Sequence, residues 1–257
     1  MGDRFVGIDL GAETLKIVEL MRDENGVRWT GRRLVEHMKT PGPRLLEQLA
    51  NLGWPAVTGA AVTGRFGRSV RLPRVPLKQA QTDGHRFLHG AGPATVVSIG
   101  GHGFSVLELR AGGASVMREN SRCSQGTGNF LRQLVERFSL SIEEASALVE
   151  SVTDAAPLSG RCPVILKTDM THLANKGESR ARILAGLYDA VAENVQVLIK
   201  PSISPPTVAL IGGVSRSARI RENFRRFLAR QGMELAFEGP DGLFCEALGA
   251  ALAAADR

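Results

Sequence analysis

The sequence predicts an α/β protein whose chain repeats one structural pattern in two lobes. A strand, a glycine-bearing turn and a second strand open the chain, and the same order restarts near residue 94. The second half then turns helical, with apolar residues at helical spacing. With 257 residues and 43% hydrophobic content, the chain can bury a sizeable core, in one large domain or two smaller lobes.

Residues 4–10 and 15–20 read as strands joined by a turn over residues 11–14 that contains Gly11. Residues 27–38 supply a third strand. Pro41, Gly42 and Pro43 break the chain, and residues 45–52 form a short helix. Residues 60–63 make a further strand ending in Gly64. The restart follows: a strand over 94–99, a turn over 100–103 and a strand over 104–109. This places a boundary near 90–94, dividing the chain into lobes 1–92 and 93–257, with the last helix free to pack back on the first lobe.

Helices follow in the second lobe. Phe130, Leu131, Leu134, Val135 and Phe138 share one face of a helix over 129–138. Ser141 and Glu144 form a capping box that opens a helix running to about residue 152. Pro163 suits the first turn of a helix, where its missing N–H costs nothing. Ile183, Leu184, Leu187, Val191, Val195 and Leu198 define a long helix ended by Pro201. Residues 207–211 read as a buried strand followed by Gly212 and Gly213, then helices over 219–230 and 243–254.

The net charge of +6 admits an anionic partner. Basic residues cluster at Arg65 and Arg68, from Arg216 to Arg221, and at Arg225 and Arg226. Aromatics are 5% of the chain and do not interleave with them, so base stacking and nucleic-acid binding are poorly supported. A solvated basic surface or docking onto an acidic redox partner remains. The opening residues lack a charged segment followed by an apolar run, and no apolar stretch reaches membrane-spanning length. Three cysteines do not make a disulfide scaffold. The expectation is a soluble, cytoplasmic protein with reduced thiols and no membrane association.

Two of those cysteines stand in short loops that feed helices. Cys123 lies in a segment running from Asn120 through Gly126 and Gly128 to Phe130, and Cys162 directly precedes Pro163. A cubane iron–sulfur cluster takes four thiolates; one chain offers two from such loops, and a symmetric dimer supplies two plus two. Helix N-termini and close glycines suit an anionic cluster. The competing reading of each cysteine is a buried small apolar residue. Cys245, on the last helix, reads as a core residue.

Gly7-Ile-Asp9-Leu-Gly11, Gly100-Gly101 and Leu210-Ile-Gly212-Gly213-Val214 resemble the first phosphate, second phosphate and adenosine motifs of the actin, hexokinase and Hsp70 superfamily. The segment from Asn120 through Cys123, Gly126 and Gly128 to Leu131 resembles the cluster loop of the activators of 2-hydroxyacyl-CoA dehydratases, which share a group with the ATP-binding subunits of benzoyl-CoA reductase. Cys162 falls where that family has its second ligand. The resemblance implies duplicated ribonuclease-H-like (actin-like ATPase) lobes with a nucleotide cleft between them.

It also implies roles. Gly11 and Ala12 would cradle phosphates through backbone N–H groups, with Thr14 and Lys16 at matching positions. Asp9 would hold Mg2+ through water; its alternative is a turn-forming residue. Gly100 and Gly101 belong to the second phosphate motif and Gly126 to the cluster loop. Gly212 and Gly213 would admit the adenosine, with Ser215 and Arg216 lining it; their alternative is a plain strand-to-helix turn. Cys123 and Cys162 would ligate a 4Fe–4S cluster shared between two subunits.

The chain departs from the family at two places. Ala12 and Glu13 follow Gly11, where Ser or Thr is usual, and a carboxylate beside a triphosphate is unfavourable unless magnesium or a basic group intervenes. Ser98 stands where the second motif usually begins with Asp, and His102 and Gly103 replace Gln-Asp. Positioning and charge are most of what phosphoryl transfer asks of a protein, so hydrolysis should be slow or absent. His102 could bind the γ-phosphate or be a surface turn residue.

The leading expectation is therefore an ATP-dependent reductive activator: a homodimer, or a heterodimer with a related ATPase subunit, passing a low-potential electron to a partner iron–sulfur dehydratase or reductase and recharged by ferredoxin or flavodoxin. Binding of ATP and ADP to different conformations would drive it. The alternatives are a non-hydrolysing cluster-binding carrier or regulatory subunit and, last, a small-molecule kinase.

Overall fold

The computed structural model describes residues 2–120, 127–159 and 162–257. The chain forms two compact units: residues up to Gly92 together with Asp241–Arg257, and Pro93–Pro240. The chain thus returns to its first unit for its last elements.

In the first unit, β1 (Asp3–Leu10), β2 (Thr14–Asp23), β3 (Gly26–Glu36) and β4 (Gly59–Thr63) build a sheet in the order β3-β2-β1-β4. β1 and β2 are antiparallel with Asp9 opposite Lys16, while β4 runs parallel to β1 with Thr63 beside Asp9. Side chains alternate across β1. Val6, Ile8 and Leu10 join Leu15 and Ile17 in a core with α1 (Pro41–Ala50), while Phe5, Val18 and Leu20 face α8 (Cys245–Ala255). The Pro41 to Pro43 stretch is a helix start, not the break expected: Pro41 sits in the first turn of α1, where its fixed φ suits the helix.

A second helix of this unit, α2 (Leu77–His89), was not expected from the sequence. Its buried residues are Ala80, Gln81, Gly84 and His85, a face without the apolar period that marks a helix. It packs on α8 at backbone distance. A Cβ at Gly84 would lie 2.0 Å from the Cys245 carbonyl oxygen, and one at Gly249 only 1.9 Å from that of Ala80. Gly7 lets α8 approach β1 in the same way, with a Cβ there 2.0 Å from the Ala247 carbonyl oxygen.

The second unit repeats the plan. β5 (Ala94–Ile99), β6 (Phe104–Leu109) and β7 (Ser115–Asn120) form an antiparallel meander, and β8 (Thr207–Ile211) and β9 (Glu234–Phe237) continue the sheet in parallel, in the order β7-β6-β5-β8-β9. Each unit thus has a central first strand paired antiparallel on one side and parallel on the other, the ribonuclease-H-like arrangement. In the first unit the place of β9 is taken by a single parallel bridge between Val62 and Arg74. β7 and β9, short strands at the sheet edges, were also missed in the sequence.

Helices α3 (Gly128–Glu136), α4 (Ile142–Glu150), α5 (Pro163–Asn175), α6 (Arg180–Gln196) and α7 (Ala218–Arg230) contribute to the core of this unit. The Ser141–Glu144 capping box opens α4. Arg219, buried at the start of α7, pairs twice with Asp189 and donates to the Ala185, Val149 and Val152 carbonyls. It ties α7, α6 and the C-terminal end of α4 together, a buried, paired cation rather than a surface charge.

Candidate functional site

The first glycine loop closes the β1–β2 hairpin. Asp9, 2% exposed, accepts a hydrogen bond from Lys16 Nζ at 2.7 Å. Burial by itself would lower the Lys16 pKa; the negative charges of Asp9 and Glu246 and the Asp9 hydrogen bond outweigh it and hold the ammonium above its ordinary value. The Gly11 N–H donates to the Thr14 carbonyl at 3.0 Å. A Cβ on Gly11 would sit 3.4 Å from Lys16 Nζ, so the glycine leaves the Asp9–Lys16 pair uncovered on that side. Ala12 and Thr14 are half-buried on the same turn. Gly64 belongs here too, although sequence reading saw in it only a strand end. Its φ is +88°, and a Cβ would fall 2.3 Å from Asp9 Oδ1, so both backbone and space demand glycine.

A strap over residues 37–40 braces this loop. His37 is fully buried; its Nε2 lies 3.2 Å from the Gly11 carbonyl oxygen and its backbone N–H donates to the Glu13 carbonyl at 3.2 Å. Lys39 forms an ion pair with Glu13. Glu13 therefore has a basic partner, a residue for which sequence reading had no role. Met38 and Lys39 both take positive φ, 47° and 63°, a costly pair for residues with side chains. Thr40 fixes the turn, donating from both N–H and Oγ1 to the His37 carbonyl at 2.7 Å.

The second glycine loop ends β5. Ser98 is buried in that strand, between Ser105 and Ile211, and His102 is exposed at the turn. The Gly100 N–H donates to the Gly103 carbonyl at 2.9 Å. Its other partners are unexpected. Gly128 and Asn129, in the first turn of α3, donate their N–H groups to the Gly100 and Gly101 carbonyls at 2.9 and 2.8 Å. The next two N–H groups, of Phe130 and Leu131, go to Thr127 Oγ1 and its carbonyl. The expectation of free α3 donors for a cluster is corrected: those groups are consumed by the second loop and by the cap.

The third glycine motif abuts the second. Gly212, at φ +91°, follows β8; a Cβ there would stand 2.5 Å from the Ile99 carbonyl oxygen. Gly213 opens onto free space. Ser215 Oγ donates to the Gly212 carbonyl at 2.6 Å, and Arg216 is exposed, its carbonyl accepting from Arg221 at 2.6 Å. Val214 reaches α3: a Cβ on Gly128 would lie 3.0 Å from its Cγ2. The start of α3 is thus wedged between two glycine motifs of one unit.

Cys123 and Gly126 lie outside the described residues. Cys162 is exposed and is the N-cap of α5, with Pro163 next. The N–H groups of Val164 and Ile165 point out of that helix mouth without intrahelical partners, and their side chains are 72% and 47% exposed. The Ser159 N–H donates to Asp169 of α5 at 2.7 Å, anchoring the approach to Cys162. Cys245 is buried, with Sγ 3.8 Å from the Gln81 carbonyl oxygen; burial, then the charge of Glu246, push its thiol far above the ordinary range. Among the described residues no group of three or more His, Cys, Asp and Glu side chains could hold a metal ion, and no helix is long and apolar enough to cross a membrane.

Two ribonuclease-H-like units, each carrying a glycine loop after its first strand, define an actin-like ATPase fold. The chain belongs to the BadF/BadG/BcrA/BcrD ATPase family, whose model matches residues 57–254. It is 25% identical over 263 residues to one of the benzoyl-CoA reductase subunits of Thauera aromatica, covering 98% of this chain and 93% of that one. It is 29% identical over 127 residues to the activator of lactoyl-CoA dehydratase of Anaerotignum propionicum, a match spanning 49% of either protein, about half the length of that relative. The solved activator of the 2-hydroxyisocaproyl-CoA dehydratase from Clostridium difficile, with bound ADPNP, superposes with a TM-score of 0.84 at 25% identity over 100% of this chain and 95% of that one.

Proposed function

We propose that the protein is an ATP-dependent reductive activator of an iron–sulfur dehydratase or reductase that acts on CoA esters. Two chains would share one 4Fe–4S cluster through Cys123 and Cys162 of each. The observation that carries this reading is Cys162: an exposed thiol at a helix N-terminus, beside two exposed apolar side chains, in a chain similar to an activator and to a reductase subunit. Cys162 fits the group. Its thiolate would face outward, the α5 N-terminus favours negative charge, and Val164 and Ile165 would be covered by a second copy. The cluster, when bound, supplies one-electron chemistry at low potential.

The remaining roles rest on the glycine loops. Gly11, Ala12 and Thr14 would hold phosphate through backbone groups, with Lys16 adding charge and Asp9 holding Mg2+ through water. Gly100 and Gly101 would meet phosphate as well, and Gly212, Gly213, Ser215 and Arg216 would receive the adenosine. His102 would face the γ-phosphate. Neither Ser98 nor His102 offers a carboxylate to orient water, so turnover should be slow. That same feature favours a second reading, a cluster-binding carrier that does not hydrolyse ATP. A ferredoxin or flavodoxin would recharge the protein in the cytoplasm.

The test is iron and sulfide content per chain on anaerobically purified protein, with mass by light scattering. About two irons per chain in a dimer is the expected result. A monomer without iron after reconstitution would overturn the activator reading. ATP turnover then separates activator from carrier.

A further inference from the structure

Between Glu47 and Asp83 the chain has five basic side chains and no acidic one. Four of them, Arg65, Arg68, Arg71 and Arg74, recur at every third position and all are exposed. Their backbone is held firmly. The Phe66 N–H donates to the Leu10 carbonyl at 3.0 Å, the Val62 N–H to Pro73 and the Val75 N–H to Val62, both at 2.9 Å. Phe66, Val70 and Leu72 turn inward onto the core of Ile8, Leu10 and Val62. The segment is therefore a ribbon with an apolar face in the core and an arginine face in solvent.

None of the four arginines has an ion pair or side-chain hydrogen bond among the described residues. Four of the five arginines of α7 differ: Arg219 pairs with Asp189, Arg221 and Arg225 with Glu238, and Arg226 with Glu222. Arg219, Arg221, Arg225 and Arg226 thus each have an acidic partner, and the four of the ribbon do not. Four like charges on a fixed ribbon repel one another, and an anionic surface laid over them would relieve that.

We propose that the Arg65–Arg74 ribbon is a docking surface for an acidic face of a protein partner. Guanidinium groups match carboxylates as planar forks and are enriched at protein interfaces. Nucleic acid fits less well: the ribbon's one aromatic, Phe66, is turned inward, edge-on to His37 at 6.0 Å, so nothing stacks on a base. A lipid surface also fits less well, because the ribbon's apolar side chains are committed to the core. The ribbon begins at Gly64, against the Asp9 carboxylate, and is bonded to Leu10 of β1, the strand that leads into the first glycine loop. This rests on the activator reading only in taking the partner to be the enzyme served.

The test uses the full chain, poly-L-glutamate as the acidic probe, and two multiple variants: Arg65, Arg68, Arg71 and Arg74 all to Gln, and Arg225 and Arg226 both to Gln. The ribbon variant should lose about tenfold or more in affinity and much of the salt dependence, and the α7 variant little. The ribbon variant should melt no lower than the parent, since charge repulsion is removed. Equal losses in both variants, a lower melting temperature of the ribbon variant, or ribbon-dependent binding that is tighter to single-stranded DNA or phosphatidylserine vesicles than to poly-L-glutamate at 0.15 M salt, where the Debye length is about 8 Å, would each overturn the proposal. Iron content measured on the same parent protein keeps the two readings apart, because its absence sinks the activator and leaves the docking result standing.

Discussion

Gly128 donates its backbone N–H to the Gly100 carbonyl at 2.9 Å, so the helix that follows the Cys123 segment hangs from the second glycine loop. Asn129 makes the neighbouring bond to Gly101, and Val214 of the third motif closes on the same point. A change at the second motif has a hydrogen-bonded route to the start of α3, and one at the third a packing route through Val214.

Gly128→Ala tests that route. The added Cβ would meet Val214 Cγ2 at 3.0 Å and the Gly100 carbonyl oxygen at 3.5 Å. The expected cost in stability is about 1 kcal/mol, from mild overpacking. Affinity for a non-hydrolysable ATP analogue with magnesium should fall several-fold by calorimetry. Unchanged affinity would separate α3 from nucleotide binding.

The Glu13–Lys39 pair predicts a double-mutant cycle. Lys39→Met should weaken binding of the same analogue by about tenfold, because it leaves Glu13 as an uncompensated negative charge beside phosphate. Adding Glu13→Gln should restore most of the loss. Failure to restore would mean that Lys39 meets phosphate itself.

Acid should destabilise the first unit in a defined window. His85 is buried on α2, its ring centroid 5.1 Å from that of His89, and burial, then the charges of His89 and Arg86, lower its pKa to about 4. The unfolded chain therefore binds more protons between pH 6.5 and 4, and stability falls as pH drops through that range. Glu108 acts lower. Burial alone would raise its pKa, but hydrogen bonds from Arg118, Ser204 and Arg110 outweigh it and hold the carboxylate below its ordinary value. Its contribution is present above the ordinary carboxylate range and is lost as pH falls through the lowered value. Urea midpoints against pH, with His85→Gln removing the upper loss, would check the assignment.

The cysteines should divide. Cys162→Ala should lose iron, while Cys245→Ala should keep it and cost about 1 kcal/mol through a small core void. Iron retained by Cys162→Ala after anaerobic reconstitution would count against the ligand assignment.

Both hairpins and all three glycine motifs were legible because strand alternation and punctuating glycines are local signals. α2 was not, since its partner α8 is alanine-rich and the two meet through Gly84 and Gly249; small residues packed at backbone distance leave no apolar period. The answer to Glu13 was also out of reach. Lys39 comes near only because β2 and β3 pair with Thr14 opposite Glu36, a register fixed by the sheet. Gly64 shows its role only when β4 is laid beside β1. The donors of α3, expected to be free, were taken by a loop distant in sequence.

The close seat of α8 on β1 and α2 has a consequence for how the chain is made. On the ribosome, residues 93–240 emerge before the helix that covers Phe5, Val18 and Leu20, and N-terminal segments ordinarily fold first. Here the sheet of the first unit must wait for α8, made after the second unit, before its face of Phe5, Val18 and Leu20 is covered. The second unit can complete itself during translation while the first matures only afterwards, so a stalled or slowly translated message should leave a half-built nascent chain whose exposed face is a target for chaperones.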